Sequence, residues 1–324
     1  MKYFVWFIVL LVILSIGIFV SKKQSILKWD NSTMLSQENI SIEKKATEKK
    51  TVSLLFGGDM QFDRYIRTVM KKRGEDFILS SLHDTFSSVD MVVANLEGPI
   101  TDNASISETS AMGEAKNYMF TFPTSTANFL KREHIDIVNI GNNHILNFKS
   151  DGAEQTKKYL AESAVDYFGS PLEGDVRTLI KNINGTTIAF VNYNQFVFGA
   201  KEKVLSDITS VQGKADFVVL YTHWGKEYES VLPGVKDLAH EFIDVGVDII
   251  IGSHPHVVQE KEIYKGKHIY YSLGNFIFDQ YFRPDTQKGL LVRVIFDPST
   301  HSITTEDISI ALKNNGQTVL APKQ

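Results

Sequence analysis

Six times between Thr51 and about Leu312, a short apolar run breaks off into a cluster of Gly, Asn, Asp or His. Val52–Phe56 leads into Gly57, Gly58 and Asp59, and Met91–Ala94 into Asn95, Leu96, Glu97 and Gly98. Ile135–Ile140 leads into Gly141, Asn142, Asn143 and His144, and Phe217–Tyr221 into Thr222, His223, Trp224 and Gly225. Val247–Ile251 runs into the loop Gly-Ser-His-Pro-His, and Ile269–Tyr271 into Ser272, Leu273, Gly274 and Asn275. Between them lie charged stretches with helical character, expected over Arg64–Lys72, Ser125–Glu133, Gly152–Ser163 and Val235–Val245. Strand and helix alternating in this way predict an α/β fold with a largely parallel sheet. Later runs around Thr187–Asn192, Leu290–Phe296 and Ser302–Ala311 alternate apolar and polar residues, which suits antiparallel strands.

That order has a mechanical consequence. Loops at the carboxyl ends of parallel strands share one edge of the sheet, where ligands bind. The clusters would bring Asp59, Glu97, Asn143, His223, His254 and His256 to that edge, although they are spread over some 200 residues. Each offers an oxygen or an imidazole nitrogen, and Pro255 stiffens the turn between the last two histidines. Carboxylate, amide and imidazole donors without sulfur suit a divalent cation such as Mn2+ or Zn2+. One or two ions are expected. Glu97 is the candidate bridge, since a carboxylate can give one oxygen to each of two metals.

Other residues take roles relative to that edge. His144, next to Asn143, is the candidate catalytic residue: it would donate a proton to a leaving group or stabilise developing charge. Its plainer alternative is a hydrogen bond behind the ligands. Arg64 would hold a phosphate or carboxylate of the substrate, or form a surface ion pair. Glu227 would orient His223 or bind substrate. Asn275 would hydrogen-bond a ligand or a metal-bound histidine.

Composition narrows the class. Among 324 residues there is no cysteine, which excludes disulfides, thiol nucleophiles and thiolate metal sites. A formal net charge of −4 argues against nucleic acid as a partner. Phe4 to Val20 is almost wholly apolar and has lysines on both sides. It is long enough to span a bilayer, so residues 1–21 are expected to be an uncleaved, single-pass anchor with the main domain outside the cell membrane. Residues 22–50 are polar and charged and are expected to be a flexible linker. The domain proper is expected over 51–314, with a tail at 315–324.

The stretches FGGDMQFDR (56–64), NLEGPIT (95–101), GNNHILNF (141–148), THWGKEY (222–228), GSHPHVVQ (252–259) and YSLGNFIFD (271–279) together resemble the CapA family of poly-γ-glutamate capsule biosynthesis proteins. That family is similar in fold to the calcineurin-like metallophosphatases. The resemblance implies a layered sandwich of mixed, partly parallel β-sheets flanked by helices. Position by position, Asp59 matches the aspartate of the first metallophosphatase motif, Glu97 stands where the bridging aspartate is found, and Asn143 and His144 match the Asn-His pair. His223 matches the lone histidine, and His254 and His256 the final His-x-His. Two positions depart from the pattern: Gln61 stands where the first motif has histidine, and Asn147 where the capsule family usually has aspartate. The resemblance implies a part in making or exporting poly-γ-glutamate or a related anionic polymer, together with membrane-bound synthase subunits. Two mechanisms fit it: a metal-dependent hydrolase or transferase, and a non-catalytic, metal-lined scaffold that grips the polymer.

Overall fold

The computed structural model describes residues 49–322. The expected anchor and nearly all of the expected linker lie outside the described residues. Lys49 and Lys50, the linker's last residues, are already tied to the domain. Lys49 pairs with Asp216, and Lys50 N–H donates to the Asn184 carbonyl at 3.3 Å. No helix among the described residues is long and apolar enough to cross a membrane.

The first half of the chain runs β1 (Val52–Met60), α1 (Arg64–Arg73), α2 (His83–Ser87), β2 (Met91–Leu96), α3 (Thr126–Arg132), β3 (Ile135–Asn139), α4 (Lys149–Glu162) and β4 (Asp166–Phe168). The second runs β5 (Leu179–Ile183), β6 (Thr186–Asn194), α5 (Ala200–Val211), β7 (Phe217–His223), α6 (Pro233–Asp244) and β8 (Ile249–Ser253). It closes with β9 (Lys261–Tyr264), β10 (Lys267–Tyr270), β11 (Asn275–Ile277), β12 (Lys288–Asp297), β13 (Ser302–Leu312) and β14 (Thr318–Leu320). The four expected helices form as α1, α3, α4 and α6, and α6 opens on Pro233, whose missing N–H costs nothing there.

The strands divide between two sheets, where the pattern of alternation predicted one largely parallel sheet. One has the order β14-β13-β12-β1-β2-β3-β4, with β11 also paired to β1, and the other has the order β5-β6-β7-β8-β10-β9. β1 to β4 are parallel, as are β6, β7, β8 and β10. Each sheet is therefore a parallel core with antiparallel additions. Two expectations need correction. β6, read as antiparallel from its alternation, is antiparallel to β5 but parallel to β7. Residues 315–320, read as part of a tail, turn at Asn315-Gly316 (Gly316 φ 95°) and return as β14 against β13.

Three apolar layers hold the sandwich. Leu54, Phe56, Val93 and Ile137 of one sheet meet Ile188, Phe190, Val219, Tyr221 and Ile251 of the other in the central core. Leu55, Val92 and Val138 pack outward with α1, α3 and α4. Val191, Leu220 and Ile250 pack outward with α5 and α6. Burial on both faces explains why the parallel strands read as unbroken apolar runs. The carboxyl ends of β1, β2 and β3 lie next to those of β7 and β8, so the active edge is a seam between two sheets.

A bulge in β1 sets the phase at that seam. Phe56 pairs with Val93 and Asp59 with Asn95, so three steps along β1 match two along β2. The backbone there is crowded: a Cβ on Gly58 would lie 1.9 Å from the Gly274 carbonyl oxygen, and Asp59 N–H donates to that oxygen at 3.1 Å. Only glycine permits this approach.

Candidate metal centre

Asp59, at the end of β1, is fully buried. Its Oδ1 accepts from Asn95 Nδ2 at 2.8 Å, and its Oδ2 from the backbone N–H of His254 at 3.0 Å. Asn95 is held in turn: its Oδ1 accepts from Asn139 Nδ2 at 2.9 Å and Asn142 Nδ2 at 3.1 Å. Asn139 Oδ1 accepts from Asn192 Nδ2 at 2.9 Å. A line of amides at the strand ends thus runs from β6 in one sheet, through β3 and β2, to the Asp59 carboxylate on β1 in the other. Burial pushes the Asp59 carboxyl up, but the adjacent His256 and His223, with the Asn95 bond, hold it well below the usual carboxylate range.

Glu97 follows β2 and is also fully buried, yet neither of its oxygens has a hydrogen-bond partner among the described residues. Burial, and then the Asp59 charge, push its carboxyl well above the ordinary value. His256 Nε2 lies 3.6 Å from Glu97 Oε1, and His223 Nε2 lies 4.0 Å from the same atom.

Two of the three histidines are oriented from behind. His256 Nδ1 lies 2.9 Å from Asn275 Oδ1, while Asn275 Nδ2 donates to the Thr286 carbonyl at 3.0 Å. Asn275 thus accepts the Nδ1 proton and turns the Nε2 lone pair toward Glu97. His223 Nδ1 lies 3.1 Å from Ser253 Oγ, whose own hydrogen goes to the Thr222 carbonyl at 2.8 Å. His223 Nε2 lies 2.9 Å from Asn143 Oδ1. His254 Nδ1 is buried without a partner among the described residues. Burial and the neighbouring imidazoles push His254 down to about 3, and His223 well below the ordinary imidazole value.

His254 and His256 carry positive φ values of 96° and 58°, a conformation that costs non-glycine residues free energy. The Asp59 bond to His254 N–H, and the Tyr228 N–H bond to the Pro255 carbonyl at 2.9 Å, pin the loop in that shape.

Two donor groups result, Asp59–Glu97–His256 and Glu97–His223–His254. In each, one ligand atom from every residue lies within 4.8 Å of the others. Glu97 belongs to both. Its two orphaned oxygens and the orphaned His254 nitrogen fit a divalent cation site. The donors are oxygen and imidazole nitrogen throughout, the set that suits Mn2+, Zn2+ or Fe2+.

Other expected residues sit around this centre. His144 Nε2 is 3.9 Å from Glu97 Oε1, and its ring packs on Phe120 with centroids 4.4 Å apart. Arg64 is only partly exposed. It bonds Asp279 and, at 3.1 Å, Asn117 Oδ1, and lies over the rings of Phe120 and Phe278. Arg64, Tyr65, Tyr118, Glu227, Tyr228 and Phe282 help line a cavity of about 480 Å3. Tyr228 in its wall has its ring centroid 6.1 Å from that of His256. Glu227 lies in the cavity wall, and Asn275 stands behind His256. Asn95, Asn139, Asn192 and Ser253 were given no role from the sequence, and Gln61 was noted there only as a departure from the family motif. The asparagines carried a signal, since each ends an apolar run, but alone such residues read as turn formers.

The crystal structure of a phosphatase from Mycoplasma pneumoniae superposes on this chain with a TM-score of 0.54 at 16% identity, over 82% of this chain and 95% of that one. Fold and donor set define a two-sheet α/β protein with a candidate divalent-cation site. A sequence model of the family described as "Bacterial capsule synthesis protein PGA_cap" matches residues 53–280. The capsule biosynthesis protein CapA of Bacillus anthracis is 30% identical over 262 residues, covering 74% of this chain and 62% of that protein. The PGA biosynthesis protein CapA of Bacillus subtilis is 30% identical over 254 residues, covering 73% and 66%. The chain belongs to this bacterial capsule synthesis family, and its matches span less than two thirds of the length of both relatives.

Proposed function

We propose that this chain is a membrane-anchored protein of capsule biosynthesis or export that works through a metal-dependent hydrolase- or transferase-like site. The observation that carries the reading is Glu97: a buried carboxylate with both oxygens unpartnered, shared by two donor groups. Asp59, Glu97 and His256 would hold one cation, and Glu97, Asn143, His223 and His254 a second. When bound, such ions supply Lewis-acid polarisation of a scissile phosphoryl or carbonyl group.

The chain's own residues do the rest. Asn275 fixes the tautomer of His256, and Ser253 and Asn143 hold the His223 ring in place. Asn147 holds the Nδ1 proton of His144, leaving Nε2 toward Glu97 to accept a proton and pass it to a leaving group. The cavity bounded by Arg64, Glu227 and Tyr228 receives the remainder of the substrate. The names of the Bacillus relatives support an anionic capsule polymer, poly-γ-glutamate or one like it, as that substrate. Membrane-bound synthase subunits are the expected partners. The apolar run Phe4–Val20, with its flanking lysines, supports anchoring with the main domain outside the cell membrane.

The test is turnover by the full chain of a chromogenic phosphodiester and of poly-γ-glutamate, with Mn2+ or Zn2+ and with chelator. Metal-dependent turnover that vanishes in His254→Ala is expected. Polymer binding without turnover under every metal would assign the scaffold role instead. Membrane fractionation checks the anchor, and recovery in the soluble fraction would remove it.

A further inference from the structure

A second cavity, of about 400 Å3, opens at the carboxyl ends of β4 and β6, on the same edge as the donor groups. Its size falls in the range of small-ligand sites. One wall is the segment 169–174 after β4, and another is the face of α5 that carries Ala200, Lys203, Val204 and Asp207. Arg177 clamps the two, donating from Nε and Nη2 to Asp207 at 2.8 and 2.7 Å, so the walls are preformed. Asn192 and Asn194, two apart on β6 and therefore on one face of the strand, complete the lining. Asn194 is only 6% exposed. Its Oδ1 accepts the Phe196 N–H at 3.1 Å, and its Nδ2 donates to no acceptor among the described residues. A nearly buried donor that lines a cavity and holds nothing calls for an acceptor in that cavity. The metal centre is close by. Asn194 pairs with His223 in the register of β6 and β7. Phe196 packs on His254, with ring centroids 4.5 Å apart, while the next residue, Val197, lines the cavity. Asn192 begins the line of amides that ends at Asp59.

We propose that this cavity is a second binding site, which takes one carboxylate-bearing unit of an amide-linked chain while a neighbouring part of the chain lies at the metal centre. This rests on the polymer reading above and adds a place for the chain. Asn194 Nδ2 is assigned to an oxygen of the unit's carboxylate. Lys203, whose Nζ holds the Phe198 carbonyl at 2.9 Å in an exposed bond, turns to the same group. Leu172, Val197 and Val204 cover the unit's methylenes. Arg177 and Asp207 neutralise each other. Glu173, exposed on the wall, carries the one lining charge that opposes a carboxylate. None of these residues belongs to the two donor groups, so the site is expected to bind with the metal removed.

The experiment measures by calorimetry the binding of γ-linked glutamate oligomers to the full chain in chelator, beside the same oligomers with their carboxylates amidated. The free-acid oligomers are expected to bind and the amidated ones not. Asn194→Asp keeps the side chain's shape and its bond to the Phe196 N–H but puts a negative charge in place of the donor, and should weaken binding about 10-fold or more. Lys203→Met, which removes an exposed charge, should weaken it by up to about 5-fold, and Glu173→Gln should tighten it by up to about 5-fold. If Asn194→Asp fails to fold, Ala200→Trp fills the cavity from α5: lost binding then supports the site, and equal binding overturns it. Oligomers that bind the wild type only when Mn2+ is added overturn the second site and leave the metal-centre reading intact. Binding in chelator that Asn194→Asp and Ala200→Trp both leave unchanged also overturns it. A wild type that binds no oligomer with or without Mn2+ overturns it as well. Metal-dependent turnover of the chromogenic phosphodiester by the same preparation then keeps the metal-centre reading, and absence of that turnover removes both.

Discussion

His144 Nδ1 lies 3.0 Å from Asn147 Oδ1, and the same oxygen accepts the backbone N–H of Phe120 at 3.0 Å. The backbone donor fixes which end of the Asn147 amide faces the imidazole. His144 therefore carries its proton on Nδ1 and presents a bare Nε2 to Glu97. Burial is the main force on this ring and pushes it down to about 4, with the Asn147 bond opposing weakly. A carboxylate at position 147 would stabilise the imidazolium instead. Asn147→Asp is expected to raise the His144 pKa toward the ordinary imidazole range, read from the pH dependence of its ring proton by NMR. A titration that stays near 4 would show that Asn147 does not control the ring.

Glu97 is pushed toward its neutral form by burial and by Asp59. A glutamine has nearly the shape of that neutral acid but cannot bridge two cations. Glu97→Gln should therefore leave chelator-treated protein within about 1 kcal/mol of wild type. The rise in melting temperature on adding Mn2+ should be lost. Because the metal competes with the Glu97 proton, wild-type affinity should climb with pH, and uptake should release protons. Calorimetry in two buffers of different ionisation enthalpy measures that release. Equal heats in both would sink the linkage.

Metal-free stability should fall as the solution is acidified. His144 and His254 are pushed down to about 4 and about 3, chiefly by burial, and His223 well below its ordinary value. Unfolded imidazoles bind protons near pH 6.5, so below that pH the unfolded chain holds more protons than the folded one. The stabilisation is complete above about pH 6.5 and is lost as pH falls through the folded values. Glu97, shifted upward, acts in the opposite sense, but it is one group against three. The melting temperature in chelator is expected to drop between pH 7 and pH 5, and less steeply in His144→Gln. A flat or rising profile would contradict this burial.

The seam was partly legible because its donors stand at strand ends. An apolar run such as Val247–Ile251 announces a buried strand, and the polar residue that follows is then fixed at its carboxyl end. Division into two sheets came from the family resemblance and not from the alternation, because strand partners are set by long-range packing and both sheets have the same parallel core. Residues 315–320 read as a tail because β14 is only three residues long. The phase of β1 at Asp59 was hidden as well. It depends on a bulge at Gly57–Gly58, which a sequence of alternating faces does not reveal. Asn275 was legible as a hydrogen-bonding residue, but the choice between ligand and histidine needed the fold of β11 against β1.

Arg64 is nearly buried together with Asp279, with side-chain exposures of 12% and 9%, and it lies over Phe120 and Phe278. Those rings also pack on His144 and His256, at centroid distances of 4.4 and 4.7 Å. The guanidinium therefore supports the two histidines from below while forming part of the cavity wall. Its removal leaves the Asp279 carboxylate buried with only the Tyr65 N–H, at 3.2 Å, as a remaining partner. Arg64→Ala should cost about 3–5 kcal/mol in urea unfolding. Adding Asp279→Asn should recover part of that loss, because the uncompensated charge is then gone. Arg64→Lys keeps the charge but not the flat stacking surface, and should fall between the two. A loss below about 1 kcal/mol in Arg64→Ala, with no coupling to Asp279, would mean that the pair contributes little to the fold and that the guanidinium is free to hold substrate.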